Sequence, residues 1–198
     1  MTGKFIASLL IAVSTAWAQP FSVGVKGGFP LTDGLSNFHQ LEVDVTTHDY
    51  SNSKLYIVGP MVEVHLPLSL AIEFDALYRP VNLTTDTQVT PLGPIIHTSK
   101  DITTWEFPIL GKYRLPLPVV KPYVEAGPSF RKTYSGLSWL SDKGATIGAG
   151  VEVKIRRLRF GPEVRYSRWG SDGQPPPGVA FFPPSKRDQA EFLVGISF

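Results

Sequence analysis

The chain has 198 residues, 42% hydrophobic and 18% charged, with a formal net charge of +2. That length supports one domain with a sizeable core, and so small a charge excess gives no electrostatic case for a nucleic-acid partner. Cysteine is absent, which excludes disulfides, thiol nucleophiles and thiolate metal sites, while 18 glycines and 18 prolines favour turns over long helices.

At the N-terminus, Lys4 precedes an apolar run from Phe5 to Val13, followed by "STAWAQP". Ala16-Trp17-Ala18 forms an A-x-A site. A basic start, a short apolar run and a small-residue cleavage site predict a secretory signal peptide over 1–18, cut after Ala18. The remaining 19–198 would be the exported domain. The apolar run is too short to span a bilayer comfortably. No later stretch reaches the length of a transmembrane helix, so any membrane crossing has to be made by strands.

Downstream, apolar and polar residues alternate with period two. The first strand, near Phe21 to Phe29, sets Phe21, Val23, Val25 and Phe29 against Ser22, Gly24, Lys26 and Gly28. The second, near Leu55 to Leu66, sets Tyr56, Val58, Val62 and Val64 against Gly59, Met61, Glu63 and His65. In the third, Ser69 to Pro80, Ile72, Phe74, Ala76 and Tyr78 oppose Ala71, Glu73, Asp75 and Arg79. In the fourth, Ile102 to Leu115, Trp105, Phe107, Ile109 and Tyr113 oppose Glu106, Leu110, Lys112 and Arg114. The fifth, Lys121 to Thr133, places Val124, Ala126 and Phe130 opposite Glu125, Gly127, Ser129 and Arg131. The sixth, Ala145 to Arg156, places Ile147, Ala149, Val151, Val153 and Ile155 opposite Gly148, Gly150, Glu152 and Lys154. The seventh, Leu158 to Trp169, alternates Leu158, Phe160, Val164 and Tyr166 with Arg159, Gly161, Glu163 and Arg165. The closing "AEFLVGISF" is the eighth, with Phe192, Val194, Ile196 and Phe198 on its apolar side.

The connections alternate as well. "LPLS", "LPLPVVK" and Arg156-Arg157 are short turns. Between them lie long polar stretches from Pro30 to Lys54, Val81 to Asp101, Tyr134 to Gly144 and Gly170 to Arg187. This pattern predicts an all-β fold: an eight-stranded antiparallel up-and-down transmembrane β-barrel with short turns at one end and long loops at the other. Strands of ~9–11 residues match a tilted span of the hydrocarbon layer. "LEVDV" and "VNLTTDTQV" keep alternating within the loops and predict hairpins projecting beyond the membrane. "SDGQPPPGVAFFPP" reads as irregular, because its prolines lack donors.

Alternation does not say which face is inside; a soluble lipocalin-like barrel binding an apolar ligand would bury the apolar one. Three features favour a charged lumen. Glycines concentrate on the charged parity, at Gly24, Gly28, Gly59, Gly127, Gly148, Gly150, Gly161 and Gly195, where a narrow lumen leaves little room. The charges on that parity balance, which burial demands. Glu63, Glu73, Asp75, Glu106, Glu125, Glu152, Glu163 and Glu191 face Lys26, Arg79, Lys112, Arg114, Arg131, Lys154, Arg159 and Arg165. Tyr56, Tyr78, Trp105, Tyr113, Tyr166 and Trp169 lie toward strand ends, as an interfacial girdle requires. Pro60, Pro128 and Pro162 recur mid-strand, each after a glycine; the sequence suggests local bulges there and gives no reason for the repetition.

The signal sequence, the opening "FSVGVKGGF", the amphipathic segments and the terminal Phe198 together resemble the small bacterial outer-membrane β-barrel family, with its OmpA-type transmembrane domains and OmpX-like members. The resemblance covers 19–198. It implies a cell outer-membrane location among outer-membrane lipid, and a final strand whose Phe198 is read by the barrel-assembly machinery. Unlike full-length OmpA-type proteins, the sequence shows no peptidoglycan-binding domain after the barrel.

Catalytic chemistry has only thin support. His48-Asp49 in the first loop, with His97 and Asp101 in the second, could form a water-activating site if they met above the barrel. No acyltransferase motif stands out, and His39, His48, His65 and His97 lack a recognisable metal-ligand spacing. The sequence therefore predicts a non-enzymatic, porin-like outer-membrane barrel with a charge-filled narrow lumen: a monomer without cofactor, whose long loops have structural or surface-interaction roles and offer surface for an unknown ligand. A secreted lipocalin-like barrel and a barrel hydrolase or acyltransferase are the alternatives.

Overall fold

The structure is a computed structural model that describes residues 21–32, 38–42, 45–53, 56–88, 94–134, 140–173 and 186–198. The expected signal peptide, with Ala16 and Ala18, and "SDGQPPPGVAFFPP" beyond Gly173 lie outside the described residues. One antiparallel sheet contains β1 (Phe21–Pro30), β2 (Phe38–Glu42), β3 (Val45–Ser53), β4 (Ile57–His65), β5 (Leu70–Asp75), β6 (Leu77–Gln88), β7 (Ile95–Arg114), β8 (Val120–Tyr134), β9 (Lys143–Ile155), β10 (Leu158–Trp169) and β11 (Asp188–Ser197). Strand β1 pairs with both β11 and β4, so the sheet closes on itself. Val23 and Phe198 exchange backbone hydrogen bonds of 3.3 and 3.1 Å at this seam.

The ring has eight staves, because β5 and β6 share one register against β7 and together make the third. The expected eight-stranded antiparallel barrel is thus the observed fold. Its wall extends beyond the eight segments at the loop end, where the sequence predicts projecting hairpins. Strand β6 runs on to Gln88 and β7 begins at Ile95, while β2 and β3 add two more strands to the same projecting sheet. "VNLTTDTQV" lies within or just beyond β6, as expected of a projecting hairpin. Of "LEVDV", Leu41 and Glu42 end β2 and Val45 opens β3, with Glu42 opposite Val45.

The side-chain pattern is inverted relative to a water-soluble protein. Val124 and Ile147 are each 58% exposed on the outside, while Arg165 and Glu73 are 0% exposed inside. Two adjacent residues of a strand point to opposite faces, so the period-two sequence sends the charges of one parity inward along the body of the barrel. The lipocalin-like alternative requires the opposite arrangement. Above the charged residues of the turn half lies a small apolar layer of Ile57, Leu77 and Leu193.

The recurring Gly-Pro pairs acquire a physical reason. Register carries Pro60 opposite Ala76, Pro128 opposite Ile109 and Pro162 opposite Val151, and in each case the ladder is interrupted there. Proline has no N–H to return the bond; at the first site only Ala76 N donates, to Pro60 O at 3.0 Å. At Gly59 and Gly127 the partner carbonyl occupies the place a Cβ would take. Each proline keeps its pairing with the neighbour on its other side, at Val25, Ala145 and Val194.

The turn between β4 and β5 is strained. Leu68 and Ser69 have φ of 63° and 64°, and Leu70 N donates to Pro67 O across it at 3.4 Å. Left-handed backbone costs a non-glycine residue about 1–2 kcal/mol, and tight hairpins of this hand favour Asn-Gly. The double variant Leu68→Asn, Ser69→Gly should therefore stabilise the barrel by about 1 kcal/mol, read as a higher urea midpoint of the detergent-folded protein. Ser69→Ala, which keeps the Cβ, should give no gain.

Candidate functional site

The chemistry of the described barrel is concentrated in its lumen. Arg165 on β10 is its centre. Arg165 Nε donates to Glu125 Oε1 at 2.6 Å and lies 2.9 Å from Glu163 Oε1. Nη1 reaches Asp75 Oδ2 at 2.7 Å and Nη2 reaches Glu73 Oε1 at 2.6 Å. One guanidinium thus joins three strands, β5, β8 and β10, with its rigid fork of donors.

Two lysines complete the cluster. Lys26 on β1 donates to Glu73 and, at 2.7 Å, to Glu163 Oε1. Lys112 on β7 donates to Glu73 and lies 3.3 Å from Glu63 and 3.5 Å from Glu125. Its ammonium also sits 4.4 Å from the centre of the Tyr123 ring, whose hydroxyl donates to Glu163 Oε2 at 2.6 Å. Nearer the turns, Arg114 bridges Glu63 on β4 and Glu152 on β9, the latter at 3.0 Å.

A second brace lies toward the loop end. Arg79 on β6 donates to Gln189 Oε1 at 3.0 Å, to Glu106 Oε1 at 3.5 Å and to the carbonyl of Thr32 at 3.2 Å, and lies 3.8 Å from Glu191. The Trp169 indole donates to the same Gln189 oxygen at 3.1 Å, and the Arg131 guanidinium covers its ring at 4.4 Å. A rung of hydroxyls, Ser129, Thr146 and Ser167, spans β8, β9 and β10 with 2.6 Å contacts.

Of the expected lumen charges, Lys26, Glu63, Glu73, Asp75, Arg79, Glu106, Lys112, Arg114, Glu125, Arg131, Glu163, Arg165 and Glu191 are buried inside. Glu152 and Arg159 are half-buried at the turn-end mouth, where Arg159 donates to His65. Lys154 departs from the expectation. It is exposed at that mouth because β9 has by then reached the end of the barrel, and it lines a cavity of about 230 Å³ with His65, Arg114, Lys121, Glu152 and Arg159.

Trp169 also departs from its expected place. It is 1% exposed and belongs to the lumen, not the girdle, since it shares parity with Arg165 and Ser167. Tyr56, Tyr78 and Trp105 do form an outer aromatic arc, with ring centres 6.3 and 5.5 Å apart. Tyr123 and Gln189 were not anticipated as lumen residues. Their parity with Glu125 and Glu191 was the available signal.

Glu73, Glu125 and Glu163 bring carboxylate oxygens within 4.8 Å of one another, close enough for a cation. The Arg165 guanidinium already contacts all three, so this cluster is an ion-pair core in which the cation is part of the chain.

The loop residues align differently from the expected His48-Asp49 and His97-Asp101 pairing. Backbone register sets Asp49 opposite Thr85 and Asp101 opposite Asn82, whereas His48 lies opposite Asp86, and Asp86 opposite His97. The His97 Nδ1 to Asp86 Oδ1 distance is 2.7 Å.

No protein-family model matches the chain, and no curated protein matches it significantly. Among solved structures, the outer membrane protein OprG from Pseudomonas aeruginosa aligns with a TM-score of 0.53 at 16% identity, over 89% of this chain and 92% of that one. The translocator domain of autotransporter NalP from Neisseria meningitidis aligns at a TM-score of 0.41 and 11% identity, over 98% and 95% of the two chains. The likeness to OprG is one of fold: a closed antiparallel barrel.

Arg165 tests the ion-pair core. Removing one partner of a buried network leaves uncompensated charge, at a cost of about 3–5 kcal/mol. Arg165→Ala should therefore lower the urea midpoint of the folded barrel by that equivalent. Arg165→Lys, which keeps the charge and loses the fork, should fall between the two.

Proposed function

We propose that this chain is an exported integral outer-membrane protein: a non-enzymatic, plugged barrel that presents its long loops and projecting sheet as a recognition surface. The inverted side-chain pattern carries the reading. An outer wall of Val124, Ile147, Phe74 and Phe107 is at least 40% exposed, a face suited to hydrocarbon and unsuited to water. A closed barrel leaves no unpaired sheet edge along the membrane span. The fold shared with OprG, by its name an outer membrane protein, supports the same location.

The lumen supports the non-conducting and non-enzymatic parts. The charges at its centre pair with one another across the full width of the barrel, an arrangement that favours a structural role for them. Eight staves enclose an interior just wide enough to be filled by side chains, and Arg165, Lys26 and Trp169 fill it. Recognition then falls to the loop end, as it does generally where a rigid scaffold positions connecting loops. A monomer satisfies this architecture, because the ring closes within one chain.

Expressed with its N-terminal segment in a Gram-negative host, the protein should sediment with the outer membrane and migrate differently on gels before and after boiling. Recovery as a soluble periplasmic protein with no heat-modifiable band would overturn the reading. Reconstituted in a planar bilayer, it should show no sustained porin-sized conductance. A steady open channel would refute the plugged lumen while leaving the membrane location intact.

A further inference from the structure

The turn-end mouth of the barrel holds more positive charge than it pairs. Arg114 of β7, Lys121 of β8, Lys154 of β9 and Arg159 of β10, on four adjacent strands, all line its cavity of about 230 Å³. Glu152 is the one acid in that lining, and it accepts from Arg114 at 3.0 Å. Arg159 donates to His65 and lies 3.7 Å from Glu63. Among the described residues, neither Lys121 nor Lys154 has an ion-pair partner. Lys154 also stands directly opposite Arg159 in the β9–β10 ladder. Like charges so placed repel and destabilise a sheet, and an anion seated beside both offsets that repulsion.

The outer wall next to this mouth is hollow. A groove of about 460 Å³ runs along it from Leu66 and Leu70, which line the mouth as well. Its floor is Gly111 of β7 opposite Ala126 of β8, and Ile72, Tyr113 and Val124 flank it. Crowding does not demand this glycine. A Cβ at Gly111 would stand 3.6 Å from the Ala126 carbonyl oxygen, an ordinary contact, whereas at Gly59 and Gly127 it would stand 1.9 and 2.0 Å from a carbonyl oxygen. Glycine weakens a strand interior and leaves nothing to pack, so what Gly111 supplies is open space on the apolar face.

We propose that mouth and groove together bind one anionic glycerophospholipid, with its phosphate at Lys121, Lys154 and Arg159 and the start of an acyl chain over Gly111 and Ala126. Given the membrane location proposed above, on which this inference rests, depth matches chemistry: the cations sit where the strands end, at the level of lipid headgroups, and the groove faces hydrocarbon. Basic residues at a membrane surface attract anionic lipid. A zwitterionic headgroup brings an ammonium of its own, which the unpaired lysines repel. The two leucines shared by mouth and groove distinguish a lipid from a free phosphate, which has no use for the apolar hollow.

The test is native mass spectrometry of the detergent-folded full chain, with phosphatidylglycerol and phosphatidylcholine offered in equal amounts. Wild type should retain one phosphatidylglycerol in clear preference to phosphatidylcholine. The double variant Lys121→Gln, Lys154→Gln should weaken phosphatidylglycerol retention about 30-fold, since each basic residue at an anionic lipid surface contributes roughly fivefold. Gly111→Val, which fills the groove and alters no charge, should weaken it about tenfold, the equivalent of two methylenes left unburied. Lys132→Gln with Lys143→Gln removes as much charge from the loop end and should bind like wild type. Heat-modifiable mobility verifies that each variant has folded. Equal retention of the two lipids by wild type, or wild-type retention in the folded Lys121→Gln, Lys154→Gln or Gly111→Val protein, would overturn the proposal. Displacement of the lipid by an equal concentration of glycerol phosphate would also overturn it, by assigning the mouth to a free phosphate. A chain that sediments with the outer membrane yet shows no lipid preference refutes this inference alone; recovery as a soluble periplasmic protein refutes the location and the lipid together.

Discussion

The ion-pair core around Arg165 is the constraint on which the rest of the barrel depends. A guanidinium and its carboxylates out of water carry a desolvation cost of several kcal/mol per ion, offset only by close and complete pairing. Arg165 meets that condition with contacts of 2.6 to 2.9 Å to Glu73, Asp75, Glu125 and Glu163. Those carboxylates lie on different staves, so the contacts exist only when β5, β8 and β10 are in their native register. A slip of one residue would send every charge on a strand to the outer wall. The cluster thereby acts as a register lock as well as a filling for the lumen.

The glycines follow from the same crowding. A Cβ at Gly148 would stand 2.7 Å from Glu125 Oε1, and one at Gly150 would stand 2.6 Å from the Tyr123 hydroxyl. Both neighbours belong to the ion-pair core, so β9 carries glycine where β8 and β10 carry Glu125, Tyr123, Glu163 and Arg165. The volume that the charged groups require is supplied by the absence of side chains on the strand between them. The prolines obey a related rule on the other face. Pro60, Pro128 and Pro162 share the outward parity, and each leaves one ladder open while the other remains paired. In hydrocarbon an unpaired backbone group is costly, which makes the single retained bond from Ala76 N to Pro60 O consequential.

The sequence showed the ring clearly because its signal is repeated on every strand. Parity assigns Lys26, Glu73 and Arg165 to one face of the closed sheet. Parity carries no depth information, however. Lys154 therefore reads as internal although β9 ends beside it, whereas Trp169 carries the inward parity of Arg165, which outweighs its place near a strand end and sets it against Gln189 and Arg131. Depth depends on stagger between strands, a relation among distant segments. The interruption at Ala76 was equally hidden, since its cause is Pro60 on the neighbouring stave. Asp86 and His97 present the same difficulty: spacing along the chain says nothing until cross-strand register is known.

A barrel whose lumen charges are committed to one another has its functional freedom elsewhere. The outer wall is constrained to be apolar, and the turns between staves are short. What remains is the sheet of β2, β3, β6 and β7 beyond the ring. There the same period-two geometry operates without the demand for apolar residues, and polar rows such as Asn82 with Ser99 and Asp101 appear on the parity that carries Tyr78 and Trp105 lower down. The change from aromatic to polar along one face marks where the hydrophobic constraint ends. Beyond that level, side chains opposite one another can be selected for what they bind, and Asp86 and His97 meet there at 2.7 Å.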